Sequence, residues 1–243
     1  NELWMATWGG LCSFDTKTKQ MKLYNDSDEK TIQLSALIKL EKENKILVGG
    51  NKMRLRLFDL NTHTWQPIKD PEDVLTKREF RVRYMHALNE DEILLSSEVV
   101  NLCKYNIKTG KFTFYNQFQK VSGMSTHCYI TDDFWWIGTN DGLIQADAKT
   151  QKIIQLWDKS NGLSDKVIYS VLPDNKGNIW VGTNQGLNAI DPKTRKSKKY
   201  NESDGLQSME FNTASCFKDK SGNLWFGGVD GFNKVPVNAE QQM

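Results

Sequence analysis

The sequence predicts an all-β fold, a β-propeller of four-stranded antiparallel blades with about six blades in 243 residues. A motif of the type IWVGTNQGL is repeated along the chain, in copies of decreasing similarity at 179–187, 135–143, 224–232, 3–11, 46–50 and 93–97. The period is near 44 residues, as expected for a blade. The repeated runs are rich in Val, Ile, Trp, Tyr and Phe and are interrupted by Gly and Asn, which favours short strands over helices.

The second residue of each copy defines an anchor position. These residues are Trp4, Leu47, Leu94, Trp136, Trp180 and Trp225, with gaps of 43, 47, 42, 44 and 45 residues. A Trp on the second strand of a blade can bury about 150–250 Å² against the next blade. We therefore expect the four tryptophans to be structural anchors. Because no linker interrupts the repeat, residues 1–237 are predicted to form a single propeller, with 238–243 as a tail or the start of a linker.

The fifth repeat shows the elements of one blade. Its four strands are predicted at 167–174, 178–183, 187–191 and 197–201. The third turn begins with Asp or Asn, whose side chain can accept a backbone N–H two residues further on. Versions of this turn recur at 15–19, 59–64, 106–111 and 147–152. The sequence therefore predicts a meander of about 44 residues with three hairpin turns per blade.

Both ends of the chain fall inside a blade. Counting strands from the anchors, residues 3–7 are the second strand of the first blade and residues 232–237 the third strand of the last. Four complete blades then lie between two partial ones, and six blades or part of a seven-bladed ring fit equally. We expect the chain to be a piece of a longer protein.

Composition narrows the function classes. Lys plus Arg is 32 and Asp plus Glu is 30, a balance that does not predict nucleic-acid binding. No apolar run approaches the ~20 residues of a membrane span, so no direct membrane insertion is expected. The four cysteines have no metal-ligand spacing and are expected to be buried free thiols: Cys12, Cys103, Cys128 and Cys216.

No motif of a known catalytic site occurs, so we expect no catalytic residue, no cofactor and no metal. The most distinctive cluster is Arg78, Arg81 and Arg83, of which Arg81 and Arg83 are the candidate ligand contacts. Aligning Leu88 with Leu172 places Arg83 at the position of Val167, near the start of an inner strand and the channel mouth. Guanidinium groups bind carboxylates or sulfates of acidic sugars in a bidentate manner. Solvation, or pairing with neighbours such as Glu79, is the alternative.

Five more residues complete the candidate ligand site. Tyr84 and Tyr169 offer faces on which a sugar ring could stack, although packing in the core is the favoured interpretation. Glu210 and Asn212 are polar where another repeat has Val. His127, on an inner strand, is either a hydrogen-bonded residue near the channel or a ligand contact.

The second half of the chain resembles a known family. The segments NGLSDKVIYSVLPDNKGN at 161–178, IWVGTNQGLNAIDPKT at 179–194 and NLWFGGVDGFNKV at 223–235 are similar to the two-component-regulator propeller repeat. That repeat forms the extracytoplasmic sensor region of bacterial hybrid histidine kinases. The resemblance extends over residues 134–237 and fades towards the N-terminus, where Leu47 and Leu94 replace the anchor Trp.

The resemblance implies a periplasmic, catalytically inert sensor module of a homodimeric receptor. Its ligand would be a small carbohydrate, such as a breakdown product of a polysaccharide. A first alternative is a structural propeller that docks a neighbouring propeller or β-sandwich domain of the receptor. A second is a propeller lyase or hydrolase, for which His127 and a carboxylate would have to meet within about 3 Å of a common point.

Overall fold

The computed structural model describes residues 2–25, 33–50, 55–78, 81–98 and 101–237. They form six antiparallel sheets, four of four strands and two of three, each a meander in chain order. The predicted fold class, an all-β propeller, is confirmed. The chain divides into two compact units, residues 1–116 and 117–243, and each is described by itself. Whether 1–237 behaves as one domain stays a prediction, and 238–243 lies outside the described residues.

The first unit contains three sheets. The first has strands β1 (Glu2–Thr7), β2 (Gly10–Asp15) and β3 (Met21–Tyr24), and the second has β4 (Leu34–Leu40), β5 (Lys45–Gly50), β6 (Arg56–Asp59) and β7 (Thr64–Pro67). A short helix, α1 (Val74–Lys77), leads to the third, with β8 (Val82–Ala87), β9 (Glu92–Ser97), β10 (Asn101–Asn106) and β11 (Phe112–Phe114).

The second unit contains the other three sheets, after helix α2 (Asn116–Ser122). The fourth has β12 (Ser125–Ile130), β13 (Phe134–Thr139), β14 (Gly142–Asp147) and β15 (Ile153–Trp157), and the fifth has β16 (Ile168–Pro173), β17 (Ile179–Thr183), β18 (Gly186–Asp191) and β19 (Lys196–Tyr200). The sixth has β20 (Phe211–Lys218), β21 (Leu224–Gly228) and β22 (Gly231–Val235). Single 3₁₀ turns at Lys159–Asn161 and Glu202–Asp204 precede the fifth and sixth sheets.

The incomplete sheets are at the two ends of the chain, as the strand count predicts. Among the described residues, the first sheet begins with the strand that carries Trp4, and the sixth has no strand beyond β22. Within each unit the first strands of successive sheets pack side by side, β4 with β8, β12 with β16, and β16 with β20. We call these five strands the inner strands.

The turn between the third and fourth strands is fixed by its leading Asp. In the fifth sheet, Asp191 Oδ1 accepts the backbone N–H of Lys193 at 2.8 Å and of Thr194 at 3.3 Å. Arg195 then takes a φ of 58°, which returns the chain to β19. Asp15 and Asp147 accept the equivalent N–H groups in their own turns. The predicted Asx turn is therefore confirmed.

A second Asp position holds an anchor tryptophan. Asp174 Oδ1 accepts backbone N–H groups of the turn, and its Oδ2 accepts the indole N–H of Trp180 at 3.1 Å. Asp219 holds Trp225 in the same way, at 3.0 Å. Each turn thus orients the indole six residues further along the chain.

These hydrogen bonds should make the sixth sheet sensitive to acid. The Trp225 indole, with further donors from Asn223 and the turn backbone, lowers the pKa of Asp219 from 3.8 to about 2. A carboxylate with a depressed folded pKa stabilises the fold above its ordinary pKa, and this is lost as pH falls through the folded value. We expect the melting temperature to drop between about pH 4 and pH 2, and Asp219→Asn to flatten that drop in calorimetric scans.

The control for this experiment is Asp230→Asn, which removes the same charge from the turn between β21 and β22. It should leave the slope of melting temperature against pH unchanged. An equal slope change in both variants would mean that net charge, and not the hydrogen bonds of Asp219, governs the acid sensitivity.

The anchor residues Trp136 and Trp180 lie between successive sheets. Trp180 is 2% exposed and shares one apolar cluster with Phe211, Leu224 and Phe226 of the sixth sheet. In the same way Trp136 lies in a cluster with Val171 and other residues of the fifth sheet. The buried core of each unit therefore consists of layers between consecutive sheets.

Trp4, Leu47, Leu94 and Trp225 occupy the remaining anchor positions. Trp4 lies against the second sheet, with its ring centroid 5.5 Å from that of Phe58. Leu47 and Leu94 are buried. Trp225 is only half-buried, and its ring contacts Phe232 of its own sheet at 5.5 Å.

Candidate functional site

The candidate residues fall into two groups, one in each unit. Arg81, Arg83 and Tyr84 lie at the start of β8 in the first unit. The second unit holds His127 on β12, Tyr169 on β16, and Glu210 and Asn212 at the start of β20. All seven are therefore on or next to inner strands.

The predicted alignment of Arg83 with Val167 is wrong by two residues. Val82 pairs with Ser97 and His86 with the anchor Leu94, whereas Ile168 pairs with Thr183 and Leu172 with the anchor Trp180. His86 therefore takes the place of Leu172, and Arg83 takes that of Tyr169. The alignment failed because it matched Leu88 with Leu172 by residue type, although Leu88 lies beyond the end of β8.

The pairing of β20 with β21 also corrects the position expected for Asn212, which does not lie where the fifth sheet has Val167. Phe211 pairs with Gly228, as Ile168 pairs with Thr183, so Glu210 and not Asn212 corresponds to Val167. Ser125, which pairs with Thr139, corresponds to Ile168. Each inner strand of the second unit has a register shift directly after its first paired residue. An alignment by residue type could not reveal these shifts.

The two arginines of the first unit converge on one carboxylate, that of Glu98. Arg83 Nε donates to Glu98 Oε1 at 2.6 Å, and a terminal nitrogen of Arg83 donates to the same oxygen. Arg81 lies 3.7 Å from Glu98 Oε2. The Arg81 carbonyl also accepts the backbone N–H of Glu98 at 3.1 Å. We call these residues the Arg81–Arg83–Glu98 cluster.

The cluster carries a formal charge of +1, because two guanidinium groups face one carboxylate. The side chains of Arg81, Arg83 and Glu98 are 49%, 30% and 24% exposed, so it is open to solvent. Exposed ion pairs of this kind contribute only about 0–1 kcal/mol to stability. Glu79, the partner considered from the sequence, lies outside the described residues.

His127 is buried among the inner strands of the second unit. Its Nδ1 accepts the backbone N–H of Val171 on β16 at 3.2 Å, and its Nε2 lies 3.5 Å from Cys216 Sγ on β20. Burial raises the pKa of Cys216 to about 12, which keeps this thiol protonated. Both ring nitrogens of His127 are thus directed at neighbouring inner strands.

The two tyrosines are half-buried, in different settings. Tyr169 donates its hydroxyl to Asn184 Oδ1 at 2.9 Å, and its ring packs against the cluster that contains Trp180. Tyr84 lies beside His86, with ring centroids 6.4 Å apart.

The start of β20 differs from the other inner strands. Between Phe211 and Cys216 the strand advances five residues, while its partner advances only from Gly228 to Phe226. Ala214 takes a φ of 55° within this bulge, an uncommon conformation for a residue with a Cβ atom. Asn212 and Glu210 are both exposed here. The bulge thus presents polar side chains at the end of the strand where β20 begins.

Sequence reasoning missed Glu98 and the bulge. Glu98 is 15 residues from Arg83 and meets it only through the register of β8 and β9. The sequence contains a signal for Glu98. This residue directly follows the second-strand segment of its repeat, and the end of that strand lies beside the start of the inner strand.

The described part of the chain contains neither a cluster of metal ligands nor a membrane-spanning helix. No group of three or more His, Cys, Asp or Glu side chains is placed to hold a metal ion. None of the helices described is long and apolar enough to cross a membrane.

With this geometry established, the chain was compared with known proteins. Residues 162–185, which run from the turn before β16 to the turn after β17, match the model of the family described as two component regulator propeller. The chain contains a two component regulator propeller repeat. This is the segment that contributes Tyr169 and Trp180. None of the curated proteins compared with the chain matches it.

Solved structures share the propeller fold. The extracellular domain of a putative hybrid two component system, BT3049 from B. thetaiotaomicron, has a TM-score of 0.74 at 15% identity, over 96% of this chain and 31% of that one. The extracellular domain of BT4673, a putative one component system from the same organism, has a TM-score of 0.67 at 18% identity, over 98% of this chain and 40% of that one.

A third solved structure, of a protein that is not described as a one- or two-component system, has a similar fold. PorZ, a surface component of the type-IX secretion system of Porphyromonas gingivalis, has a TM-score of 0.71 at 14% identity, over 95% of this chain and 36% of PorZ. The chain therefore spans well under half the length of these proteins. At such low identity the likeness shows the fold alone.

Proposed function

We propose that this chain is an extracytoplasmic sensor module of a hybrid two-component receptor and acts by binding rather than by catalysis. The observation that carries the proposal is the two component regulator propeller repeat at residues 162–185. The likeness in fold to extracellular domains of one- and two-component systems supports it. The receptor would be a periplasm-facing dimer, and its kinase would lie elsewhere in the polypeptide.

The ligand we propose is an acidic, carbohydrate-derived molecule that binds at the Arg81–Arg83–Glu98 cluster. Three properties of the cluster support this choice. It has one more positive than negative charge, it is open to solvent, and Glu98 already aligns Arg83 through two hydrogen bonds. Arg83 is therefore held in place before a ligand arrives, which reduces the entropic cost of binding. Tyr84 directly follows Arg83 on β8, and its ring centroid lies 6.4 Å from that of His86.

A double substitution, Arg81→Ala/Arg83→Ala, tests this site. We expect it to weaken binding of oligogalacturonate, an acidic oligosaccharide probe, by at least about tenfold, since charge-assisted hydrogen bonds contribute about 1.5–3 kcal/mol each. Isothermal titration calorimetry would give the dissociation constant, with a neutral oligosaccharide of equal length measured in parallel.

The matched control is Lys149→Ala/Lys193→Ala, which removes two positive charges from exposed turns elsewhere. Its affinity should stay within about twofold of the wild-type value, because neither lysine belongs to the cluster and salt screens exposed charges outside the site. Equal weakening in both variants, or no weakening in either, would overturn the assignment of the cluster as the ligand site.

A further inference from the structure

The outer strand of the fifth sheet is the most basic strand in the part of the chain that the structure describes. β19 carries Lys196, Lys198 and Lys199, and Arg195 directly precedes it. Every other described strand carries at most one Lys or Arg. Four cationic side chains thus lie within five consecutive positions, although the formal net charge of the whole chain is only +2. We call these four residues the basic edge.

The side chains of the basic edge are exposed and have no acidic partner. None of the four forms an ion pair with a residue that the structure describes. Carboxylates at the two ends of the strand are engaged in their own turns: Asp191 accepts the backbone N–H of Lys193 at 2.8 Å, and Asp204 accepts that of Asn201 at 2.9 Å. By contrast, Lys104 on β10 faces Glu92 at 2.7 Å. The positive charge of the basic edge is therefore not neutralised within the described chain.

Protection of the sheet edge is the simplest role for lysines on β19, because this strand is the last of its sheet. The other outer strands show how little charge such protection needs. β3 contains one lysine, Lys22, and β7, β11 and β15 contain no charged residue. The charge of β19 therefore exceeds what an outer strand of this protein requires, and it calls for an anionic partner.

The basic edge presents its charges on both faces of the sheet. Because successive residues of a strand point to opposite faces, Lys196 and Lys198 lie on the same face as Tyr200, and Lys199 lies on the other. Lys198 Nζ is 4.9 Å from the centroid of the Tyr200 ring. A linear polyanion that follows one face would meet only some of these charges. A flat anionic surface that touches the strand edge is within reach of long side chains from both faces.

We propose that the basic edge docks this protein onto a membrane surface through the phosphate groups of anionic lipids. The contact is peripheral, with β19 lying along the lipid headgroups. Lysine suits this role because its compact ammonium group attracts phosphates without a fixed bidentate geometry. Each Lys or Arg close to an anionic surface raises the affinity by a factor of about five. The contact uses none of the residues of the Arg81–Arg83–Glu98 cluster.

Vesicle co-sedimentation of the whole chain tests the proposal. We expect binding to vesicles of equal parts phosphatidylglycerol and phosphatidylcholine, and none to pure phosphatidylcholine. Replacing all four residues of the basic edge by Gln keeps most of the aliphatic stems and should weaken binding at least about tenfold. Lys196→Arg/Lys198→Arg/Lys199→Arg keeps the charges and should bind like the wild type. Equal binding of the Gln variant and the wild type would overturn the proposal.

The matched control removes the same net charge from exposed lysines elsewhere, in Lys17→Gln/Lys19→Gln/Lys22→Gln/Lys152→Gln. Lys22 lies over the ring of Tyr24 at 4.8 Å, as Lys198 lies over that of Tyr200, so the control also removes an equivalent ring contact. It should weaken vesicle binding by less than about threefold, because salt screens charges that lie away from the docked edge. Equal weakening by both variants would show that net charge alone attracts the chain, and would overturn the proposal.

Two soluble anions distinguish a membrane surface from other anionic partners. Glycerophosphoglycerol, the headgroup without its acyl chains, should not displace the chain from vesicles, because the basic edge encloses no single headgroup. The Gln variant should keep its affinity for oligogalacturonate within about twofold. Displacement by the soluble headgroup would indicate a site for a discrete anion, and loss of oligogalacturonate affinity a site for an acidic polysaccharide; either result would overturn the proposal. The vesicle measurement itself does not involve oligogalacturonate, so it remains decisive if the ligand proposed above is wrong.

Discussion

Replacing Trp180 by alanine should lower the free energy of unfolding of the second unit by about 3–5 kcal/mol. The indole is 2% exposed, lies between the fifth and sixth sheets, and stacks on Tyr200 with ring centroids 5.0 Å apart. The substitution leaves a large cavity in this layer and also leaves Asp174 Oδ2 without its indole donor. Urea unfolding, followed by circular dichroism, would give the change from the shift in midpoint.

Trp8→Ala provides the matched control, because Trp8 is 70% exposed. The same atoms are removed, but little buried surface is lost, so the free energy of unfolding should change by less than about 0.5 kcal/mol. A Trp180→Ala variant as stable as the Trp8→Ala variant would show that Trp180 does not hold the two sheets together.

Replacing Gly186 by alanine should destabilise the second unit by about 2–5 kcal/mol, for two reasons that add. Gly186 has a φ of 87°, which residues with a Cβ atom rarely adopt. A Cβ atom there would also overlap the backbone carbonyl oxygen of Tyr200, which cannot move without breaking the pairing of β18 with β19. Thermal and urea unfolding of the variant would measure the loss.

Gly177→Ala separates the two reasons. Gly177 lies in the turn between β16 and β17 with a φ of 91°, and a Cβ atom there would meet nothing within 4 Å. This variant should lose only the conformational part, about 1–2 kcal/mol. If Gly177→Ala were as destabilising as Gly186→Ala, overlap with Tyr200 would not be the cause.

The elements that sequence reasoning predicted correctly depend on local chemistry. Asp15 and Asp191 fix their turns through N–H groups two and three residues away, so the turn is encoded in a few consecutive residues. The alternation of apolar and polar residues and the content of β-branched residues are also local, and they predicted the strands. The strand count at both ends followed from the anchor positions Trp4 and Trp225.

The candidate site depends on register, which local chemistry does not fix. A bulge between Val82 and Tyr84 decides where Arg83 points, and the pairing of β8 with β9 brings in Glu98. In β20 the longer bulge with Ala214 at a φ of 55° displaces the whole start of the strand. Nothing in the residue types of these segments marks the extra residues, so pairing geometry was needed to find them.

The four free cysteines are spread along the chain, one in each of four sheets: Cys12, Cys103, Cys128 and Cys216. Burial raises the pKa of Cys103, and raises the pKa of Cys128 to about 12, so these thiols do not react while their sheets are closed. The rate at which a thiol reagent labels Cys103 or Cys128 therefore measures the opening of the third or the fourth sheet, whereas Cys216 is only partly buried. The protein thus carries native reporters from which the order in which its repeats come apart can be followed without any added probe.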